Sequence, residues 1–294
     1  MEFFLELSFN GLFIGALYAV VAVAIVVVCK ATEVVSLAHG QLLAFGALFF
    51  YVFYVPLGWP LWASLLLAMG AGALLGFATE RICMRPLIGQ PLFSGFLMTF
   101  AIFLVLDGIF ALILKGEAWG FRDFLPTGSI EVAGARMSLG GLAGLGITLV
   151  VFLVTMLLFR YTKVGLGMRA TAESHQLAQS VGINVRTIFT TVWVLSAAIA
   201  VVAGILLARH YDIRFMLTMV AFKALVVAMV GGLDSIPGAL LGGLILGLVE
   251  NLAAGYLDPI VGGGVMEVAG YILLLIILLV RPYGIFGLVR IERV

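Results

Sequence analysis

Five long runs without a charged residue constrain the fold of this chain more than any other feature. They cover residues 7–29, 34–79, 86–106, 137–159 and 187–208, and the second run has 46 residues. An α-helix rises about 1.5 Å per residue, so about 20 residues cross a hydrocarbon layer of about 30 Å, and the 46-residue run is long enough to cross twice. Because only 11% of the 294 residues are charged and 64% are hydrophobic, a soluble globular fold is excluded.

Apolar windows separated by turn residues predict an all-α polytopic membrane protein with about eight to nine transmembrane helices, in a single domain over residues 1–294. The predicted helices lie near 8–29, 36–55, 61–82, 92–114, 139–160, 187–208, 218–232, 236–257 and 265–281. The segments 218–232 and 265–281 are short for a full crossing, so some helices are expected to be broken or re-entrant. The first helix is expected to be retained, since neither a basic start nor a clear small-residue cleavage site marks a signal peptide.

The distribution of lysine and arginine predicts the orientation, because basic residues accumulate in cytoplasmic loops. One set of loops carries Lys30, Arg81, Arg85, Arg160, Lys163, Arg169, Arg186, Arg281, Arg290 and Arg293. The opposite set carries Lys115, Arg122, Arg136, Arg209 and Arg214. The first set is therefore expected to be cytoplasmic, which places the N-terminus outside and the C-terminus inside. The net charge of +1 gives no indication of a nucleic-acid partner.

Polar side chains within the apolar segments are candidates for a translocation path, because burying them in a membrane is costly unless they serve a purpose. The candidates are Asn10, Tyr18, His39, Gln41, Thr99, Glu250 and Asn251. Structural hydrogen bonds inside the bundle are the alternative explanation. Lys223 can pair with Asp107 or Glu250, or extend to the interface. A self-contained secondary transporter or channel would have to use Asp107, Lys223 and Glu250 as its ion relay.

Glycine accounts for 36 residues and is densest between Gly231 and Gly247. Small residues allow close approach of helices, so tight packing alone can explain this density. The other interpretation adds a helix break that leaves helix ends and unpaired backbone groups beside a translocation path. The break would comprise Asp234, Ser235, Pro237 and Gly238.

The enzyme signatures that can be searched for in the sequence are missing. None of the four lysines follows a glycine, so there is no P-loop for ATP, and the HExxH zinc motif is also lacking. Cys29 and Cys83 lie far apart, and His39 has no second ligand at metal-binding spacing. We therefore predict no catalytic residue, no metal site and no cofactor in this chain.

The loop 160–188 is the most informative polar segment. It is expected to form one short helix on the membrane surface, with Gly182 as the residue after its end and Asn184 capping the next helix. The apolar positions expected to share one face are Met168, Ala172, Leu177 and Val181. Such a helix could rest among lipid headgroups. The loop contains several small residues and few large apolar ones, which favours insertion into the groove of another protein.

This loop resembles the coupling segment of ABC importer permeases, in the form Gly-x-x-x-Arg-Ala followed by a central alanine and a closing Gly-Ile. The residues concerned are Gly165, Gly167, Arg169, Ala170, Glu173, Leu177, Ala178, Gly182 and Ile183. The stretches 36–40 and 231–247 are similar to those of branched-chain amino-acid permeases of the LivH type, and the similarity runs through nearly the whole chain. One departure is Gln41, because the first motif of that family commonly reads Asn-Phe-Ala-His-Gly-Glu.

The resemblance implies a permease subunit embedded in the lipid of a bacterial inner membrane. It implies three kinds of partner, namely a second LivM-like permease, two cytoplasmic ABC ATPases and a periplasmic substrate-binding protein. The expected function is import of branched-chain amino acids by ATP-driven alternating access, with ATP hydrolysed in the partner subunits. The neutral Gln41 extends the expected substrates to related small carboxylates.

Overall fold

A computed structural model of the chain describes residues 1–121, 124–132 and 134–287. Three arginines that enter the orientation argument, Arg122, Arg290 and Arg293, lie outside the described residues.

The described part of the chain is almost entirely helical, which confirms the predicted fold class. Its helices are α1 (Glu2–Thr32), α2 (His39–Tyr54), α3 (Leu61–Ala78), α4 (Leu92–Leu114), α5 (Leu139–Tyr161), α6 (Lys163–Glu173), α7 (His175–Ser180), α8 (Val185–Tyr211), α9 (Val220–Gly231), α10 (Ile236–Val261) and α11 (Val265–Val280). A π-helical turn, Thr79–Met84, and a 3₁₀ turn, Arg85–Leu87, extend α3, and a second 3₁₀ turn, Phe215–Met219, precedes α9. The strands β1 (Ser129–Val132) and β2 (Ala135–Ser138) form an antiparallel hairpin before α5.

Each of the nine predicted apolar segments contains an observed helix, but fewer of them are long enough to cross a membrane than expected. Within the described residues, six helical segments have the length and composition of a membrane span: α1, α3 with its extension to Leu87, α4, α5, α8 and α10. The other three apolar helical segments, His39–Tyr54, Phe215–Gly231 and Val265–Val280, are shorter. The last two were expected to be short. Helix α2 was predicted over 36–55, but it has only 16 residues and reaches about 24 Å at 1.5 Å per residue.

Helix α1 is the central element of the bundle and packs most extensively against α10. Glycines of the two helices face each other, and a Cβ at Gly11 would lie 2.7 Å from the Gly247 carbonyl oxygen. A Cβ at Gly243 would lie 2.6 Å from the Gly15 carbonyl oxygen. The dense glycines of α10 therefore allow backbone-to-backbone contact, as expected for small residues in membrane bundles.

The bundle has two distinct ends. At one end, α8 finishes, α5 begins and the β1–β2 hairpin lies close to the start of α1, where the Glu6 carboxylate accepts the backbone N–H of Arg136 at 3.2 Å. Trp119 and Ile213 exchange backbone hydrogen bonds of 3.0 and 2.8 Å at this end. At the other end, α6 and α7 connect α5 to α8. We refer to these as the hairpin end and the coupling end.

Candidate functional site

The predicted helix between α5 and α8 is two helices, α6 and α7. They are separated at Ser174, whose extended backbone (φ −164°, ψ 122°) ends α6 and whose side chain caps α7. Gly182 follows the end of α7 with φ +85°, and Ile183 N–H and Gly182 N–H donate to Ala178 and Gln179 carbonyls at 2.9 and 3.0 Å. This is a Schellman motif, so the predicted role of Gly182 is confirmed.

The predicted cap of the following helix is also confirmed. The Asn184 side chain accepts the backbone N–H of Thr187 at 3.2 Å at the start of α8. Two local end signals therefore define where α7 stops and α8 starts.

The prediction that the apolar residues of this segment share one face is wrong. Met168 is fully buried, whereas Leu177 and Val181 are 66% and 74% exposed. The reason is the change of direction at Ser174, together with the packing of Ala178 against Val185 and Phe189 of α8. The large apolar side chains of α7 consequently face away from the bundle.

The coupling residues that the resemblance suggests differ in how deeply they are buried. Gly165, Gly167 and Ala178 are buried against this chain's own helices. A Cβ at Gly165 would clash with the carbonyl oxygens of Leu158 and Phe159. The half-buried members are Ala170 and Ile183, and the exposed members are Arg169, Glu173, Leu177 and Gly182. The small residues therefore hold the segment on the bundle, and the exposed members form its outer surface.

A buried polar network fixes the end of α3 to α8 beside this segment. The Arg85 guanidinium makes a bidentate pair with the fully buried Glu80 carboxylate, at 3.0 and 3.1 Å. The Thr190 hydroxyl of α8 donates to Glu80 Oε2 at 2.9 Å and accepts from Arg85 Nη2 at 2.7 Å. Ile88, just beyond, packs onto the cluster around Ala178. The network connects the coupling end of the bundle to the α7–α8 junction.

The glycine-rich junction lies between α9 and α10, where a break was expected. Gly231 ends α9, Ser235 caps α10 by accepting the Gly238 N–H at 3.1 Å, and Pro237 lies in the first turn. Its helix-end carbonyls are not left unpaired, however. The carbonyls of Val230 and Gly231 accept the backbone N–H groups of Ile285 and Phe286 at 2.9 and 3.0 Å.

Three of the predicted path residues are fully buried near the start of α2. The Gln41 carboxamide donates to Asp107 of α4 at 2.6 Å, and Thr99 accepts the Leu37 N–H at 3.3 Å. His39 stacks on Trp193 with ring centroids 5.7 Å apart. These contacts join residues of the same chain, which supports the structural explanation for this cluster.

Lys223 pairs with Glu250, as one of the sequence alternatives proposed. Its Nζ lies 3.3 Å from Glu250 Oε2 and 3.3 Å from Glu267 Oε1 of α11, and 5.7 Å from the centre of the buried Tyr18 ring. Glu250 is 1% exposed, whereas Glu267 is 67% exposed. Asp107 contacts Gln41 instead. The expected relay of Asp107, Lys223 and Glu250 is therefore divided between two clusters.

The remaining path candidates, Asn10 and Asn251, line a common cavity of about 330 Å³ at the hairpin end of the bundle. It lies between α1, α5, α8 and α10, and Arg209 and His210 from the last turn of α8 also line it. We did not predict a role for Arg209 beyond charge counting, and we predicted none for His210. The sequence signal for Arg209 was its position directly after the apolar run 187–208, in the set of loops that carries fewer basic residues. Among the described residues, no group of three histidine, cysteine or acidic side chains could hold a metal ion.

Comparison with known proteins identifies the family. Residues 7–281 match the family described as "Branched-chain amino acid transport system / permease component". Over 99% of its length, the chain is 29% identical to the "High-affinity branched-chain amino acid transport system permease protein LivH" of Escherichia coli K12, covering 98% of that protein. It is 33% identical to the "Probable branched-chain amino acid transport permease protein LivH" of Methanocaldococcus jannaschii, over 74% of this chain and 71% of that one.

A third relative and one solved structure complete the comparison. The BraD permease protein of a Pseudomonas aeruginosa high-affinity branched-chain amino acid transport system is 28% identical over 99% of this chain and 98% of its own. A chain of PsaBC from Streptococcus pneumoniae in complex with Fab has a TM-score of 0.49 and 12% identity, covering 94% of this chain and 92% of that one. On the family match, the chain belongs to the branched-chain amino acid permeases of ABC transporters.

Proposed function

We propose that this chain is the permease subunit of an ABC importer that carries branched-chain amino acids or related small carboxylates across a bacterial inner membrane. The observation that carries the proposal is the family match over residues 7–281. The partners would be a second LivM-like permease, two cytoplasmic ATPases and a periplasmic substrate-binding protein. ATP hydrolysis in those ATPases would drive alternating access in the membrane part, with the N-terminus of this chain periplasmic and its C-terminus cytoplasmic.

The exposed side of α6 and α7 is the surface we assign to the ATPase. Leu177 of α7 and Val181, which directly follows α7, are four residues apart and exposed. Arg169 and Glu173 supply charges on α6. Two exposed apolar side chains at this spacing suit a groove on a partner protein. Ala178, Gly165 and Gly167 hold the segment on the bundle, so a displacement of α7 is passed to α8.

The test of this docking surface is the pair of variants Leu177→Asp and Val181→Asp in the complete transporter. Each is expected to reduce co-purification of the ATPases and to lower leucine uptake at least tenfold, because a charge is placed in an apolar contact. The amount of chain in the membrane should stay unchanged, since both side chains are exposed. The matched control is Ile130→Asp on the β1–β2 hairpin, an exposed apolar residue at the other end. Normal co-purification and uptake in both α7 variants would disprove the assignment.

The same positions test the orientation. In intact cells, with Cys29 and Cys83 replaced by alanine, an impermeant maleimide should label Ile130→Cys and leave Leu177→Cys unlabelled. Labelling of Leu177→Cys alone would reverse the proposed topology.

The second candidate function, a self-contained secondary transporter, has weaker support. It requires Asp107, Lys223 and Glu250 to exchange protons or ions. Asp107 instead accepts a hydrogen bond of 2.6 Å from Gln41, and the ion pairs of Lys223 with described residues are made to Glu250 and Glu267. The ATPase-dependent mechanism is therefore favoured.

A further inference from the structure

The cavity at the hairpin end contains a group of polar side chains that the docking proposal does not use. Its volume of about 330 Å³ is at the lower end of the ligand-pocket range of roughly 300–1,000 Å³. A cavity of this size accommodates a molecule as small as an amino acid. Polar side chains from three helices converge there, namely Asn10 of α1, Arg209 and His210 of α8 and Asn251 of α10.

Arg209 gives the lining of the cavity one cationic side chain. The lining includes Arg209 and His210 but no acidic side chain among the described residues. A Cβ at Gly140 would lie 2.7 Å from both terminal nitrogens of the Arg209 guanidinium, so this glycine lets the guanidinium lie against the first turn of α5. A helix N-terminus carries a partial positive charge. The Arg209 guanidinium and the N-terminus of α5 therefore lie side by side in the lining of the cavity, and both attract an anion.

Arg209 can hold an anion in addition to its present contacts. It already has an interaction within the protein, and it is half-buried. A guanidinium has five N–H donors in a planar fork, which suits a carboxylate. Reduced contact with water strengthens such a pair.

The other walls suit the rest of an aliphatic amino acid. Phe13, Leu17 and Leu206 provide apolar surface. Asn251 lines the cavity, and its amide nitrogen donates to the Gly247 carbonyl at 3.0 Å. Its carboxamide oxygen is left as an acceptor for a donor such as an ammonium group. The cavity thus combines a carboxylate-binding wall, an apolar wall and an acceptor.

We propose that this cavity is a substrate subsite in which Arg209 binds the carboxylate of the transported molecule. The inference rests on the proposed transport function and adds to it a place in the membrane subunit where substrate is recognised. On this assignment the carboxylate is required for recognition and the ammonium group is an auxiliary contact.

Protection from chemical labelling tests the subsite directly. Leu125, which lines the cavity, is replaced by cysteine in a chain whose Cys29 and Cys83 are replaced by alanine, and the transporter is purified in detergent with its associated subunits. Labelling by a maleimide is timed with L-leucine, 4-methylpentanoate or leucinamide. We expect the two carboxylates to slow labelling and leucinamide, which lacks the carboxylate, to leave the rate unchanged.

Two pairs of variants separate the effect of the Arg209 charge from the effect of the cavity volume. Arg209→Gln should raise the concentration of leucine needed for protection at least tenfold, whereas Arg136→Gln, an exposed arginine on the hairpin, should leave it unchanged. Gly144→Val should also weaken protection, because Gly144 lines the cavity and the added side chain occupies it. Its control is Gly146→Val on the same helix, where a Cβ meets nothing within 4 Å.

The possible results are distinct. Equal protection by leucinamide or no protection by leucine would each overturn the subsite. Uptake measured in parallel separates the two proposals. If the wild-type complex transports leucine with ATP while protection is absent, the subsite is wrong and the proposed function stands. If leucine protects but uptake does not depend on an ATPase, the proposed function is wrong and the subsite stands.

Discussion

Lys223 pairs with two carboxylates inside an otherwise apolar bundle. Its ammonium group lies 3.3 Å from both Glu250 and Glu267, and Glu250 is almost completely buried. An isolated charge in such a place is costly, and charged residues inside membrane segments are accordingly paired. We interpret the pair as a structural connection between α9, α10 and α11.

This interpretation predicts a specific pattern of stability. Lys223→Met should destabilise the protein by about 3–5 kcal/mol, because it leaves the buried Glu250 without its cation. Glu250→Gln should cost less, since Lys223 retains Glu267. The double variant should recover most of the loss caused by Lys223→Met. Thermal unfolding of the purified protein measures all three. If the double variant is stable but its ATP-driven uptake is lost, the pair has a transport role and the structural interpretation is wrong.

Gln41 shows where residue-level sequence reasoning is limited. We interpreted its neutral amide in terms of substrate charge. The structure brings Asp107 of α4 to 2.6 Å from its amide nitrogen, a contact between residues 66 positions apart. Only the fold creates this contact, so the local motif could not reveal it.

At the scale of helices, the close contact of α1 and α10 determines the shape of the core. Gly243 faces Gly15 and Ala19, with a Cβ at Gly243 only 2.7 Å from that of Ala19. Helices in a membrane have little hydrophobic force between them, so close packing of small residues is the main attraction. The glycines are therefore required by space and not by backbone conformation.

Substitution of these glycines should show this requirement. Gly243→Ala is expected to destabilise the protein by about 1–3 kcal/mol, since α1 would have to move away from α10. The matched control is Gly108→Ala on α4, where a Cβ meets nothing within 4 Å. That change should be neutral or stabilising by up to about 1 kcal/mol, because alanine favours helix formation. Equal unfolding temperatures for the two variants would contradict the packing account.

The elements themselves were largely predictable, and their orientations were not. Gly182 and Asn184 carry local end signals, so the end of α7 and the start of α8 could be derived from the sequence. The exposure of Leu177 and Val181 depends on which side of α7 meets Phe189, a tertiary contact without a local signal. The cavity lined by Arg209 is formed by four helices from distant parts of the chain, so no local sequence signal could place Arg209 beside Asn10 and Asn251.

At the scale of the whole molecule, two different surfaces lie at opposite ends of one bundle. The coupling end carries exposed apolar residues on α7 that are suited to a partner protein. The hairpin end carries the cavity that Arg209 lines. Helices α1, α8 and α10 extend between these regions, and α1 packs on both α8 and α10. We interpret this arrangement as a gated path whose energy source is another subunit.

The most direct test of this account is leucine uptake into proteoliposomes that contain the purified chain with or without its co-purifying subunits. We predict uptake only when the second permease, the ATPases, the substrate-binding protein and ATP are all present, and no uptake when ATP is replaced by a non-hydrolysable analogue. Leucine uptake by the chain alone, driven by a proton or sodium gradient without ATP, would contradict the account.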